Sequence, residues 1–494
     1  MKPNLAFQAG PFALILWVVG AGAGIGGPPA EPIEIGVQPQ FVIDDYIVDN
    51  RWSLKPKKEE VIRAFHAPTK DPANPVIPDG AGYATAVRDA DTGKFRLWYQ
   101  THRAVMKGGE EGNAYAVAYA ESNDGVEWTR PNVGLYEWKG SKENNIVWPG
   151  IRGARASGPQ ILQLPERDRH GYRYVLTYRT GGAKKGENGI RLVGSADGIH
   201  WDEKGDMLIA ELPSDTLNSL VHDPMRGEYV LYVRPKDRYL IGQEGFLDSG
   251  ESRRVARMAS RELWTKWRGS PQTILIPDEL DVAKGFNRFY GMHTRWHAGI
   301  YWGCLWPFKL NSDIVTELAW SRDGIEFERL PTRPRLLELG AEGAWDDGMV
   351  FGSADWVEVG DEWWFFYAGS DGPHESRDRN TAIGIAKVRK EGLISMRGPP
   401  GGGVVCTRQL RWPGGRLVIN ADAHEGEVQV RVSGDRRKAL PGFDYADGQR
   451  FTGDNVAHEV TWKDQSMDSL KGQVIRLEFM LKNADLYTFR AAAD

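Results

Sequence analysis

The stretch "DEWWFFYAGS" (361–370) sets five aromatic residues in a row with no polar residue between them. An antiparallel strand with one wet face alternates apolar and polar side chains. A strand apolar at every position has both faces covered. Acidic Asp361 and Glu362 open the segment and Gly369 closes it, and aromatic residues favour a strand over a helix fragment. The stretch reads as a strand buried between two layers.

Four other segments share its form, each an aromatic-rich strand after a turn or a charged pair. They are "TGKFRLWYQ" (92–100), "RHGYRYVLTYR" (169–179), "RGEYVLYVR" (226–234) and "HAGIYWGCLW" (297–306). Three of the five are followed by one turn signature, S-x-D-G-x-x-[W/F]. It occurs at Ser122-Asn123-Asp124-Gly125 with Trp128, at Ser195-Ala196-Asp197-Gly198 with Trp201, and at Ser321-Arg322-Asp323-Gly324 with Phe327. Asp-Gly supplies the positive φ of a tight turn, and the aromatic residue three positions on returns to the core. "ASRELWTKW" (259–267) keeps only the aromatics of this signature, and "VRKEGLISM" (388–396) keeps little.

The repeat spacing, roughly 55 to 75 residues, exceeds that of common propeller repeats and holds four strands plus a loop. Radially packed four-stranded sheets cover both faces of each blade, which accounts for the unbroken aromatic run. Residues 36–396 are therefore expected to form a five-bladed β-propeller. The innermost strand of each blade is assigned to "GYATAVRD" (82–89), "SGPQILQLPE" (157–166), "TLNSLVHD" (216–223), "FYGMHTRW" (289–296) and "GMVFGSADWVEV" (348–359). Their starting ends should converge on a central funnel.

After a Gly/Pro-rich linker the pattern changes to period-two strands, "GRLVINADA", "GEVQVRVSG", "HEVTWK" and "VIRLEFMLKNADLYTFRA". These predict a small antiparallel β-sandwich over 404–494, so that the whole chain is all-β. A length of 494 residues suits two domains. A net charge of −5 gives no reason to expect a nucleic-acid partner. Nineteen Trp and 58 Gly fit many short strands and tight turns, with aromatic faces left for stacking.

Residues 1–26 have the layout of a secretory signal peptide: one Lys, an apolar run over 12–19, and the small residues Ala21-Gly22-Ala23. Export, to a secreted or periplasmic location, is expected, with no membrane association after cleavage; an uncleaved anchor is the alternative. Cys304 and Cys406 fall in different domains and read as two buried free thiols.

Several stretches together resemble a group of exported bacterial proteins. They are "FVIDDYIV" (41–48), "RAFHAPTKDPANPVIP" (63–78), "GVEWTRPNVGLYEWKGSKENNIV" (125–147), the turn signature, and the tail from "INADAHEGEVQVRV" through "LKNADLYTFR". That group is similar to the five-bladed glycoside hydrolases of the invertase, levansucrase and arabinanase type, with a jelly-roll-like C-terminal domain. The resemblance implies a carbohydrate substrate and three funnel carboxylates: a nucleophile or base on the first blade, an Asp on the second that steadies the transition state, and an acid Glu on the third. This sequence departs from that pattern. The Trp-Met-Asn-Asp-Pro signature of the type is absent, 150–160 brings Arg152 and Arg155 but no carboxylate, and 211–219 offers Asp215 with no Glu beyond Glu211.

Glycosidic cleavage needs a proton donor and a second carboxylate. The catalytic candidates on loops entering inner strands are Asp79, Asp215, Glu342, Asp346 and Asp347, with 342–347 the densest group. Trp345 suits a sugar-stacking platform. Arg155, Asn218, Arg288, His293 and His374 are candidates for substrate binding; the resemblance also allows His374 a place at the central channel. Asp44 and Asp45 read chiefly as positioning the entering strand. No H-E-x-x-H, C-x-x-C, G-x-S-x-G or phosphate-loop pattern occurs, so neither a metal nor another cofactor is expected. The expected function is an exported glycoside hydrolase with an acid/base carboxylate pair. The alternative is a glycan-binding propeller that has lost the pair.

Overall fold

The computed structural model describes residues 31–79, 82–102, 115–151, 156–180, 188–235, 240–241, 246–247, 253–376 and 379–493. The segment read as an export signal and Arg155 lie outside these residues. The fold is all-β, a five-bladed propeller joined to a second β domain.

Each blade is a four-stranded antiparallel meander, counted here from the axis outward. Blade 1 comprises Gly82–Arg88, Phe95–His102, Tyr115–Ser122 and Ile146–Trp148. Blade 2 comprises Ser157–Gln163, Tyr174–Thr180, Gly189–Ser195 and Met207–Ala210. Blade 3 comprises Ser219–Asp223, Glu228–Val233, Val255–Ser260 and Gln272–Leu275. In blade 4, Arg288–His297, Ile300–Phe308 and Thr316–Ser321 are followed by an outer edge shared between Glu328–Arg329 and Arg335–Leu337. Blade 5 runs Met349–Gly352, Glu362–Ser370 and Thr381–Arg389, and its outer strand is Thr69–Lys70 from the N-terminal side of blade 1. That borrowed strand closes the ring and leaves no open seam between first and last blades.

The opening stretch is the second strand of blade 5, and its side chains divide as two covered faces require. Trp363, Phe365 and Tyr367 join the core toward blade 4, whereas Trp364 and Phe366 join the core toward blade 1. None of the five is more than 8% exposed.

The repeated turn ties neighbouring blades together. In each copy the Ser Oγ accepts from the Gly N–H, at 2.8 Å for Ser122 and Ser195 and 2.9 Å for Ser321. The Asp carboxylate accepts from the next two backbone amides, as Asp124 does from Val126 and Glu127. Those amides hold the Asp124 carboxyl below its usual range. The glycine then lies against an aromatic ring of the preceding blade: Gly198 against Trp98, Gly324 against Tyr232 and Gly125 against Trp364. Trp98 Nε1 donates to the Gly198 carbonyl at 2.6 Å, and the Tyr232 hydroxyl to that of Gly324 at 2.9 Å. A Cβ on Gly198 would stand 2.6 Å from the Trp98 ring at a φ of +78°. Gly198→Ala is therefore expected to cost about 1–3 kcal/mol, through overpacking and left-handed strain. A lowered urea midpoint with an unchanged slope would register it.

The inner strands are joined around the axis by polar side chains. Ile161 N–H donates to Thr85 Oγ1, Leu220 N–H to Gln160 Oε1 at 2.7 Å, and Thr294 N–H to Ser219 Oγ at 2.9 Å. His293 Nε2 stands 3.0 Å from Asp355, which also accepts from Gln160. This girdle links blades 1, 2, 3, 4 and 5, and a cavity of about 670 Å³ opens beneath it on the face of the turns.

The second domain is an eleven-stranded sheet that curls around its own core. Its C-terminal members include Gly403–Thr407, Arg416–Ser433, Phe451–Val460, Val474–Lys482 and Ala484–Ala492. Four N-terminal strands also belong to it, Ile33–Glu34, Gln40–Phe41, Val48–Ser53 and Ile62–Phe65, as does Ile394–Gly398. The sequence reading had assigned nearly all of these to the propeller, because short strands paired across more than 300 residues leave no local periodicity. Asp44 is buried and receives a two-pronged contact from Arg322 of the blade 4 turn at 2.8 and 3.0 Å. Cys304 and Cys406 are both buried and unbonded.

Candidate functional site

At the starting ends of the inner strands, rings from blades 1, 4 and 5 meet over the axis. Tyr83 of blade 1 reaches Trp306 of blade 4 and Phe351 of blade 5, each at 5.9 Å between centroids. Phe351 also lies 5.5 Å from Tyr290, which stands edge-on to His374 at 5.2 Å. The rings form a floor between the funnel and the polar girdle. Bulges at the start of the inner strands of blades 1, 2 and 4 re-aim side chains there. Tyr83 itself has a φ of +39°, a conformation that a bulky residue keeps only under constraint from its surroundings. Burial pushes its phenol well above the ordinary range.

Polar groups stand around this floor. Gln100 Oε1 accepts from the Gly158 N–H at 2.8 Å, and Gly158, at φ +60°, lies so close to blade 3 that a Cβ would meet the Thr216 carbonyl at 2.7 Å. Asn218 is fully buried; its amide donates to the Thr216 carbonyl at 3.0 Å, while its Oδ1 has no partner. Asp215 is half in solvent and contacts two guanidinium groups, Arg179 at 2.6 Å and Arg234 at 3.7 Å. Arg234 and Arg253 both lie over the Tyr290 ring, at 5.5 and 4.9 Å. His374 Nδ1 is 2.8 Å from Glu375, and its Nε2 is 3.4 Å from the Tyr290 hydroxyl. Burial, opposed by Glu375 and reinforced by the Arg253 charge, leaves the His374 pKa below its ordinary value.

The residues singled out in the sequence are thus divided. Asp215, Asn218 and His374 gather at the funnel. His293 is buried in the girdle beneath the floor. Arg288 begins the blade 4 inner strand and contacts Asn287 at 3.1 Å. Asp79 is largely exposed and held by Arg130 at 2.6 Å. The 342–347 group does not open onto the funnel. Asp346 is 2% exposed, between Lys70 at 2.5 Å and the Tyr367 hydroxyl at 2.9 Å, and Trp345 stacks on Tyr367. Asp347 accepts from the Gly343 N–H and so closes the turn that carries exposed Glu342. A side cavity of about 320 Å³ lies there, lined by Lys70, Asn74, Trp345 and Tyr367. The clustered acids expected around the axis are absent among the described residues, because these carboxylates are committed to joining blade 5 to its borrowed strand and to local turns. Asp346→Asn is accordingly expected to lower stability by about 1–3 kcal/mol and leave carbohydrate binding in the funnel unchanged, as denaturation and titration calorimetry would show.

Arg179, Arg234, Arg253, Tyr83 and Tyr290 were missed as site residues. A signal for some of them exists: in "YVLTYR" (174–179) and "YVLYVR" (229–234) the sixth residue is the arginine, and the same place in "FRLWYQ" (95–100) holds Gln100. A second group looks catalytic and is not. His66 Nε2 is 2.9 Å from Ser395 Oγ, but that hydroxyl donates to Asp485 at 2.6 Å. A triad requires the imidazole between serine and carboxylate; here the group ties two strands of the C-terminal domain.

No protein-family model matches the chain, and no curated protein matches it. Among solved structures it is similar to an N-acetylgalactosamine deacetylase from F. plautii in complex with blood group B trisaccharide, at 16% identity and a TM-score of 0.45, over 67% of this chain and 95% of that one. It is also similar to a β-1,2-mannobiose phosphorylase from Listeria innocua, at 15% identity and 0.44, over 65% and 96%. The GH43 BlXynB protein from Bacillus licheniformis aligns at 13% identity and 0.43, over 86% and 99%.

Proposed function

We propose that the funnel is a carbohydrate site. The observation that carries this reading is the convergence of Tyr83, Tyr290 and Phe351 at the starting ends of the inner strands, beside Asp215, Arg234 and Arg253. A sugar presents apolar C–H faces to rings and a rim of hydroxyls to polar groups, and a concave site with few convergent polar side chains meets both needs. Asn218 Oδ1, buried and without a partner, is placed to accept a ligand hydroxyl.

Hydrolysis of a glycosidic bond is the second reading, and Asp215 favours it. It lies between two guanidinium groups, a placement that suits a base or a transition-state stabiliser. A hydrolase of the two-carboxylate kind would need its acid elsewhere. Export, read from residues 1–26, would bring such a site to polymeric glycans outside the cytoplasm.

A panel of polysaccharides, assayed for reducing ends and for binding, tests both readings on the wild-type protein and on Asp215→Asn. Release by the wild type, lost by orders of magnitude in the variant while binding persists, supports hydrolysis. Binding without release from either protein supports recognition alone. Absence of binding to every member overturns both.

A further inference from the structure

We infer that the sugar taken by the funnel is anionic, and that Arg234, flanked by Arg253 and Arg179, receives a carboxylate or sulfate group that it carries. This rests on the carbohydrate reading and names the class of sugar within it.

The first observation is burial without satisfaction. Arg234 is 5% exposed, yet its Nη1 has no hydrogen-bond partner. A buried guanidinium N–H left unpaired is costly, and native structures keep few of them. Arg253 Nη1 is likewise buried without a partner. Both guanidinium groups stand over the Tyr290 ring, and Arg253 also covers Phe308 at 4.9 Å. Ring contact engages the face of a guanidinium and leaves its in-plane N–H donors free.

The second observation is charge. Asp215 is the carboxylate in contact with Arg234, and it already takes its closer contact from Arg179. Glu375 is occupied by His374. Among the described residues, Arg179 and Arg234 share one carboxylate and the Arg253 charge acts unfavourably on Arg234, which leaves an excess of positive charge there. An oxyanion would relieve that repulsion and accept from the free N–H groups at once. The planar fork of arginine suits a carboxylate or sulfate in particular. A neutral sugar would satisfy some of the donors and leave the charge uncompensated.

Calorimetric titration of the full chain with three probes tests this: an oligogalacturonate, a sulfated galactan oligosaccharide and a neutral galactan oligosaccharide of matched length. At least one acidic probe is expected to bind about tenfold or more tightly than the neutral one, with the difference shrinking as salt rises. The two acidic arms separate a carboxylate ligand from a sulfate ester. Arg234→Gln should erase the preference for the acidic probes, and Arg179→Gln, at the more open rim, should weaken it if the first variant folds poorly. Equal binding of acidic and neutral probes, or an intact preference in variants shown by melting to be folded, overturns the anionic assignment and leaves the carbohydrate reading standing. Failure of all three probes to bind overturns the assignment too, and the polysaccharide panel then decides whether the broader reading falls with it.

Discussion

Arg329→Ala is expected to destabilise the protein by about 3–5 kcal/mol. Arg329 is 4% exposed side-chain to solvent and donates to both oxygens of Asp281, at 2.7 and 2.6 Å. It also pairs with Glu317, and Arg333 approaches Asp281 from the other side. Asp281 lies in the short helix Glu279–Ala283, where its side chain and that of Asp278 form a capping box. Glu317 lies in the third strand of blade 4 and Arg329 in its outer edge. The cluster therefore fastens the connection between blades 3 and 4 to the sheet that follows. Removing the arginine leaves buried Glu317 without its cation and Asp281 with the more distant Arg333, and burial already raises the Glu317 pKa. Chemical denaturation would read the loss as a lowered midpoint. Glu317→Gln, made in the Arg329→Ala background, should recover part of it, because the stranded charge is then gone.

Tyr290→Ala is expected to weaken carbohydrate binding about a hundredfold. Tyr290 is the meeting point of the site: Phe308, Phe351 and His374 contact its ring, and Arg234 and Arg253 lie on it. Without the ring, the floor loses one of its two blade 4 members, Trp306 remaining, and two guanidinium groups lose the surface that holds their planes. Tyr290→Phe keeps the ring and removes the hydroxyl, with its contact to His374 at 3.4 Å and its hydrogen bond with Tyr83. It should retain most of the affinity and nearly all of the stability. Titration calorimetry of the two variants separates a loss of ring contact from a loss of the hydroxyl, and a melting curve for Tyr290→Ala separates either from unfolding.

The propeller was legible because its decisive features are local. An aromatic strand whose alternate residues feed two different cores writes an unbroken apolar run, and Trp363 to Tyr367 show how that run is divided. The turn signature was equally readable, since its Ser, Asp and Gly contact one another within a few positions. Closure was not. Thr69–Lys70 is two residues long, and its pairing with Lys387 and Ala386 spans more than 300 positions. The four N-terminal strands of the second domain escaped for the same reason.

The site was legible only in part. Acid density drew attention to 342–347, but the fate of Asp346 is decided by Lys70 and Tyr367, both distant in sequence. Asp215 and Asn218 drew attention because they enter an inner strand. The arginines were passed over because hydrolysis directs attention to carboxylates, although Arg179 and Arg234 end their aromatic strands at one shared position. Tyr83 carried no sequence signal; its positive φ emerges from a bulge that only the sheet register reveals.

The most direct test of the carbohydrate reading is a crystal structure of the protein with an oligosaccharide that it binds. The sugar should lie over the axis, in ring contact with Tyr290 or Tyr83 and hydrogen-bonded to Arg234, Asn218 or Asp215. A sugar seated instead in the side cavity beside Trp345, or on the C-terminal sheet, with the funnel empty, would contradict it.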